Sequence, residues 1–190
     1  MDEIATFKYG FTAKAADAGE FRFIRITDIT DNGKLSPDDT KYVDSTGGAS
    51  DYLVQQGDIL MARTGATFGK TVLIADDIPA VYASFLIRIR LNETEILPSY
   101  YWHFAQSGFY WQQASSLVSM GGQPQFNANV LKDIRLPIPP LEEQERIVAI
   151  LDKFDALVND LSSGLPAEIK ARRQQYEHYR DRLLTFREAA

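Results

Sequence analysis

The sequence contains no cysteine and only two histidines among its 190 residues. Without cysteine there is no disulfide framework, no thiolate ligand for a metal and no thiol nucleophile. His103 and His178 stand far apart, neither with a second histidine beside it, so no imidazole pair is available for a metal or a general base. A long apolar run is also missing: nothing approaches the ~20 residues that span a bilayer. The opening stretch, MDEIATFKYG, lacks the charged-then-apolar layout of a secretory signal. These absences lead to the expectation of a cytoplasmic protein with no membrane partner. A positive excess is lacking as well. Net charge is −6, with 12 basic against 16 acidic side chains in residues 1–140 and 8 against 10 in residues 141–190. Lys and Arg contacts to phosphate supply most nonspecific affinity for nucleic acid. A DNA-reading role therefore needs a local basic face or a partner that supplies the clamp.

The composition that is present, 45% hydrophobic and 12% aromatic, suits one ordinary core with an appendage. Residues 1–97 read mostly as strands and turns. Phe21-Arg22-Phe23-Ile24-Arg25-Ile26 alternates apolar and charged, the period of a strand with one wet face, and Asp31-Asn32-Gly33-Lys34 marks a turn. Further strands are expected at residues 58–62, 71–75 and 81–91. Together they predict a single curved sheet, mixed but mainly antiparallel. An aromatic stretch from Pro98 to Leu117 suits a helix interrupted near Gly108, its rings forming core. After the loop Met120-Gly121-Gly122-Gln123-Pro124-Gln125, a short helix is expected near 127–132, with Asn127 as its cap, then a strand at 134–138. Pro139-Pro140 ends the globular part.

From Leu141 the texture becomes helical, with Glu142, Glu143 and Glu145 at the positive end of the dipole. Ile147, Ile150, Phe154, Leu157 and Leu161 are spaced 3-4-3-4, and Leu151 and Val158 widen the stripe into a coiled-coil seam. Ser162-Ser163-Gly164-Leu165-Pro166 interrupts it. Pro166 can open a second helix, on which Ile169, Tyr176, Tyr179, Leu183 and Phe186 resume the seam. Helices of this length are marginal alone in water. The stripe must be covered by a hairpin at Gly164, by the domain, or by another chain, and pairing with another chain is the favoured reading. The fold expected is thus α+β: a globular domain over 1–140 with packed helices, and a long helical coiled-coil arm over 141–190.

Several chemistries can be weighed from motifs. Gly65-Ala66-Thr67-Phe68-Gly69-Lys70-Thr71 resembles a phosphate loop, but three residues separate its glycines where four are needed, and a strand-like stretch follows. A tight turn between strands remains, with or without Arg63, Thr64 and Lys70 on a DNA-facing surface. Glu168-Ile169-Lys170 has the spacing of a metal-dependent nuclease motif but falls on a solvated helix face. Neither a glycine-rich cofactor loop nor the Asn-Pro-Pro-aromatic motif of an adenine methyltransferase is found. No catalytic residue, metal ligand or cofactor is therefore assigned to this chain. Gln123 and Gln125 carry amides able to read adenine in the major groove, and Lys8, Lys14 and Lys34 are candidates for positioning phosphates.

The stretch FNANVLKDIRLPIPPLEEQERIVAILD, residues 126–152, resembles the junction between recognition domain and helix in type I restriction specificity subunits. Upstream, GDILMARTGATFGK, residues 57–70, is similar to that family's second recurring phrase. The resemblance covers essentially residues 1–186. It implies a noncatalytic DNA-specificity subunit that reads a half-site in double-stranded DNA. It also implies a methyltransferase (modification) subunit that binds S-adenosylmethionine, and a motor-nuclease subunit that cuts. The family's full-length subunit carries two recognition domains whose helices pair antiparallel. One copy is present here, which leaves a half-subunit that homodimerises through its arm or a fragment of a longer chain. The rival from another class is an assembly or decoy module that binds the methyltransferase without reading DNA.

Overall fold

The computed structural model describes residues 1, 4–117, 126–159 and 165–184, with the side chains of 158, 159, 173 and 176–184 outside that description. Two compact units are present, Met1–Arg146 and Ile147–Ala190.

In the first unit the strands are β1 (Ala5–Tyr9), β2 (Phe21–Ile24), β3 (Tyr42–Val43), β4 (Ile59–Ala62), β5 (Thr71–Leu73), β6 (Ala80–Tyr82) and β7 (Leu86–Leu91). Among the described residues they form two sheets. One is antiparallel throughout, in the order β1-β7-β4-β5; the other is β3-β2-β6, with β2 and β6 parallel. Every residue of β4, Ile59-Leu60-Met61-Ala62, is buried, the continuous apolar run of a strand covered on both faces. Leu60 and Ala62 join Ile24, Val72, Ala80, Tyr82 and Leu86 in a core shared by the two sheets. On the opposite face, Met61 Sδ lies 3.6 Å from the Tyr110 hydroxyl, among the helices. Full burial of each such aliphatic side chain is worth ~1.5–3 kcal/mol.

The helices of this unit are α1 (Pro98–Ala105), α2 (Gly108–Leu117) and α3 (Ala128–Asp133). Pro98 opens α1, where a missing N–H costs nothing. The break before Gly108 is bridged by the Ser107 hydroxyl, which accepts from the Tyr110 amide at 3.2 Å. Tyr100, Tyr101, Trp102 and Tyr110 are buried, so most of the aromatic stretch is core, while Phe109 is 53% exposed. Asn127 caps α3, its side-chain oxygen accepting from the amides of Asn129 at 2.9 Å and Val130 at 3.1 Å.

Four expectations need correction. The single curved sheet is two sheets. Residues 81–91 are not one strand but β6 and β7, divided by a turn in which the Leu86 amide donates to the Ala83 carbonyl at 2.8 Å; that turn carries the chain from one sheet to the other. The alternating segment at Phe21 has no wet face. Ile24 packs in the core between the sheets while Phe23 packs with Val43, Val81 and Ala83 on the other side, and a 3₁₀ turn at Ile26–Asp28 replaces its end. Residues 134–138 lie in no strand among the described residues. The Gln113 side chain takes the place of a neighbouring strand, accepting from the Arg135 amide at 2.9 Å and donating to its carbonyl at 2.8 Å. Pro137 and Pro139 have no N–H to continue a ladder.

Helix α4 (Leu141–Asn159) starts in the first unit, and α5 (Leu165–Leu184) lies wholly in the second. Among the described residues no helix is long and apolar enough to cross a membrane.

Candidate nucleic-acid interface

The segment following β4 is a strand-to-strand turn. Its centre is a 3₁₀ turn at Gly65–Thr67, closed by the Gly69 amide donating to Ala62 O at 2.7 Å and the Ala62 amide donating to Lys70 O at 2.9 Å. Gly69 has φ of 78°, and a Cβ there would sit 3.0 Å from the Trp111 ring, so both backbone and space require glycine. Strand β5 follows directly where a phosphate loop would place a helix N-terminus. Thr64, half-buried, opens the turn. At its far end the Lys70 ammonium is paired with the Asp31 carboxylate, and that bond holds the Asp31 carboxyl below its ordinary value.

Arg63 stands at the start of the same turn. Strand order brings the ends of β1, β7 and β4 together, so Tyr9, Phe85 and Arg63 share one end of the sheet. The guanidinium carbon lies 5.1 Å from the centre of the Tyr9 ring, within cation–π range. The Arg63 amide donates to Phe85 O at 3.0 Å, and its carbonyl accepts from the Phe126 amide at 2.7 Å. Tyr9 is held in turn: its hydroxyl accepts from the Ala128 amide at 3.2 Å. Tyr9 and Phe85 nevertheless remain 41% and 52% exposed.

The other candidate cations are dispersed. Lys8 lies on the opposite face of β1 from Tyr9, donating to Asp51 O at 2.7 Å and sitting 4.4 Å over the Tyr52 ring. Lys34 sits 4.4 Å over the Trp102 ring, on the turn whose Asp31 meets Lys70. These two turns are therefore neighbours. Lys14 is exposed beside a groove of about 340 Å³ that Phe11 and Val43 also line. Gln123 and Gln125 lie outside the described residues. His103 stacks edge-on against Trp102 at 4.7 Å. Glu168 pairs with Arg172 at 3.3 Å on the exposed face of α5. Sequence reasoning did not single out Tyr9, Phe85 or Asp31. Tyr9 and Phe85 are placed by strand order, and Asp31 by two turns meeting, so no local pattern could have marked them.

Residues 1–171 match the family described as the type I restriction modification DNA specificity domain. The chain belongs to that family. A Haemophilus influenzae protein provisionally named a type I restriction enzyme specificity subunit is 39% identical over 134 residues, 70% of this chain and 33% of its own length. The specificity subunit of the Escherichia coli type I restriction enzyme EcoR124I/EcoR124II is 47% identical over 66 residues, 35% of this chain and 16% of its own. Two solved structures share the fold. The HsdS subunit from Thermoanaerobacter tengcongensis gives a TM-score of 0.55 at 20% identity over 93% of this chain and 46% of that one. The type I S subunit from M. genitalium gives 0.59 at 16% identity over 93% and 43%. This specificity-domain chain thus spans less than half the length of the relatives it matches.

In this specificity domain the first turns of α4 are fastened by one side chain. Gln144 is fully buried. Its oxygen accepts from the Leu97 amide at 2.9 Å, and its amide nitrogen donates to Glu95 O and Pro139 O, both at 2.8 Å. In the second unit the seam residues are open. Ile147 is half-buried, whereas Ile150, Leu151, Phe154, Leu157 and Ile169 are 37 to 67% exposed. Leu161 and Phe186, and the side chains of Val158, Tyr176, Tyr179 and Leu183, lie outside the described residues.

Proposed function

We propose that this chain is a noncatalytic DNA-specificity component of a type I restriction-modification system, working in the cytoplasm as a dimer paired through a coiled-coil arm. Residues 1–140 read one half-site in double-stranded DNA, and residues 141–190 form the arm that pairs the copies. The chain recruits methyltransferase subunits, which carry S-adenosylmethionine and modify adenine, and a motor-nuclease subunit is the third partner. On the recognition domain, Arg63 and Thr64 face DNA, joined by Lys8, Lys14, Lys34, Lys70, Gln123 and Gln125 as further contacts. Membership of the specificity-domain family over residues 1–171 supports the role.

The observation that carries the pairing is the seam on α4: Ile150, Phe154 and Leu157, at coiled-coil spacing, are all exposed in the single chain. A helix this short gains most of its stability by burying such a stripe. Replacing Ile150 and Phe154 with Lys puts charge into the seam and converts the dimer to a monomer by light-scattering mass; an unchanged dimer rejects the interface. Specificity is tested by mapping adenine methylation in cells expressing the modification subunit with and without the chain. A bipartite motif that depends on the chain is expected. A second reading, in which the chain binds the methyltransferase but reads no DNA, is favoured by the pairing of Arg25, Lys41, Lys70 and Arg90 with carboxylates. It predicts an active modification subunit with no chain-dependent motif.

A further inference from the structure

Arg63, like Arg22 and Arg135, has no carboxylate within reach among the described residues, but where the Arg22 guanidinium donates to Ser36 O at 2.6 Å, that of Arg63 lies over an aromatic ring. Arg25, Arg88, Arg90, Arg146 and Arg172 each have an Asp or Glu oxygen within 4.0 Å. Arg63 has no carboxylate partner among the described residues, and its Nε is buried without a hydrogen bond. Removing part of a guanidinium from water without pairing it is unfavourable. The surroundings nevertheless hold it firmly. Its backbone is tied on one side to Phe85 and on the other to Phe126, and its charged group lies over a Tyr9 ring that the Ala128 amide fixes. Tyr9 keeps this arrangement open to solvent, at 41% exposure. The result is an oriented, uncompensated cation at the end of the sheet in a chain of net charge −6.

A planar guanidinium fork matches the oxygens of a phosphate bidentately, and pre-orientation lowers the entropy lost on forming the pair. We infer that Arg63 clamps a phosphate of the DNA backbone and that Tyr9 is the positioning residue that holds its guanidinium for that contact. The inference rests on the DNA-reading function proposed above. Lys70, at the far end of the same turn, is not part of the clamp, because Asp31 neutralises it.

The test uses the chain assembled with its modification subunit, titrated onto a duplex carrying the mapped motif across a salt series. Arg63→Ala weakens binding about tenfold, as loss of a charged hydrogen-bonded pair does. It also lowers the slope of log K against log salt by about 0.9, the loss of one phosphate contact. The methylated motif stays the same, since phosphate contacts carry no sequence information. Arg63→Lys keeps the slope and loses affinity, which preserves the test should the alanine variant not fold. Tyr9→Leu, with the cation intact, loses about threefold in affinity, on the scale of one cation–π contact, and Tyr9→Phe, which keeps the ring but not the hydroxyl that accepts from the Ala128 amide, recovers only part of it. An Arg63→Ala complex with an unchanged slope, or with an altered motif, overturns the clamp; unchanged affinity in Tyr9→Leu overturns the role of Tyr9. If the unaltered complex binds without any motif, the DNA-reading function itself falls. Motif-dependent binding with a flat response to Arg63→Ala removes only the clamp.

Discussion

The two units of the chain apply the same hydrophobic logic to opposite ends. In Met1–Arg146, β4 leaves none of its four side chains to solvent, and the buried polar residues Asp28, Asp58, Thr71 and Gln144 all find partners. Asp58, 1% exposed, receives both Arg90 Nε at 2.8 Å and Arg90 Nη2 at 3.1 Å, with the Gln55 amide at 2.9 Å. The Ile-Arg-Ile-Arg alternation of β7 is therefore half core and half counter-charge. Among the described residues of the second unit, Ile150, Leu151, Phe154, Leu157 and Ile169 stay open. The first unit covers its apolar stripe itself, whereas the described stripe of the second would gain stability by being covered, as in the proposed pairing.

One pair of equal substitutions breaks that comparison if it is wrong. Leu60→Ala empties a fully buried site and is expected to lower the domain's unfolding free energy by ~2–5 kcal/mol, read as a drop in the urea midpoint. Leu157→Ala removes the same atoms from the arm. It should move that transition by less than ~0.5 kcal/mol, while weakening self-association in sedimentation equilibrium. Equal effects on unfolding would mean that the arm is stabilised as the domain is. The next effect in size concerns Gln144. Gln144→Leu fills the space but leaves the Leu97 amide and the Glu95 and Pro139 carbonyls unpartnered, at a cost of ~1–3 kcal/mol. Hydrogen exchange at Leu97 should accelerate. An unchanged rate would show that the first turn of α4 is held by something else.

What could be read from the sequence follows how far each signal reaches along the chain. The run at β4, the glycine-bounded turn after it, the break at Gly108 and the Asn127 cap are local patterns, and each is where the residues point. The turn at 83–85 has no glycine, proline or asparagine, so only the move from one sheet to the other reveals it. That move depends on β2 pairing with β6 in parallel, Phe23 opposite Val81. Residues 134–138 looked like a strand because their pattern is that of one; the neighbour proved to be a glutamine side chain. At the candidate interface, Arg63 was legible from its motif, but Tyr9 was not, because strand order alone brings them together. Lys70 read as an available cation until Asp31 arrived from another turn.

The smallest effect expected lies at that pair and sharpens the contrast with Arg63. Lys70 hydrogen-bonds the Asp31 carboxylate, which favours the charged form and holds the carboxyl below its ordinary value. A group whose value is lowered on folding contributes stability that is present above its unfolded value, about 3.9, and is lost as pH falls through the folded one. Asp31 is exposed, so water and salt screen most of the gain, and Asp31→Asn should barely move the thermal midpoint at neutral pH. The sensitive readout is the Asp31 carboxyl resonance across acid pH: it titrates below the usual value in the unaltered chain and returns to about 3.9 in Lys70→Ala. If it titrates normally with Lys70 in place, the ion pair does not persist in solution. Lys70 would then be a second uncompensated cation on the turn that carries Arg63, and the clamp would have to include it.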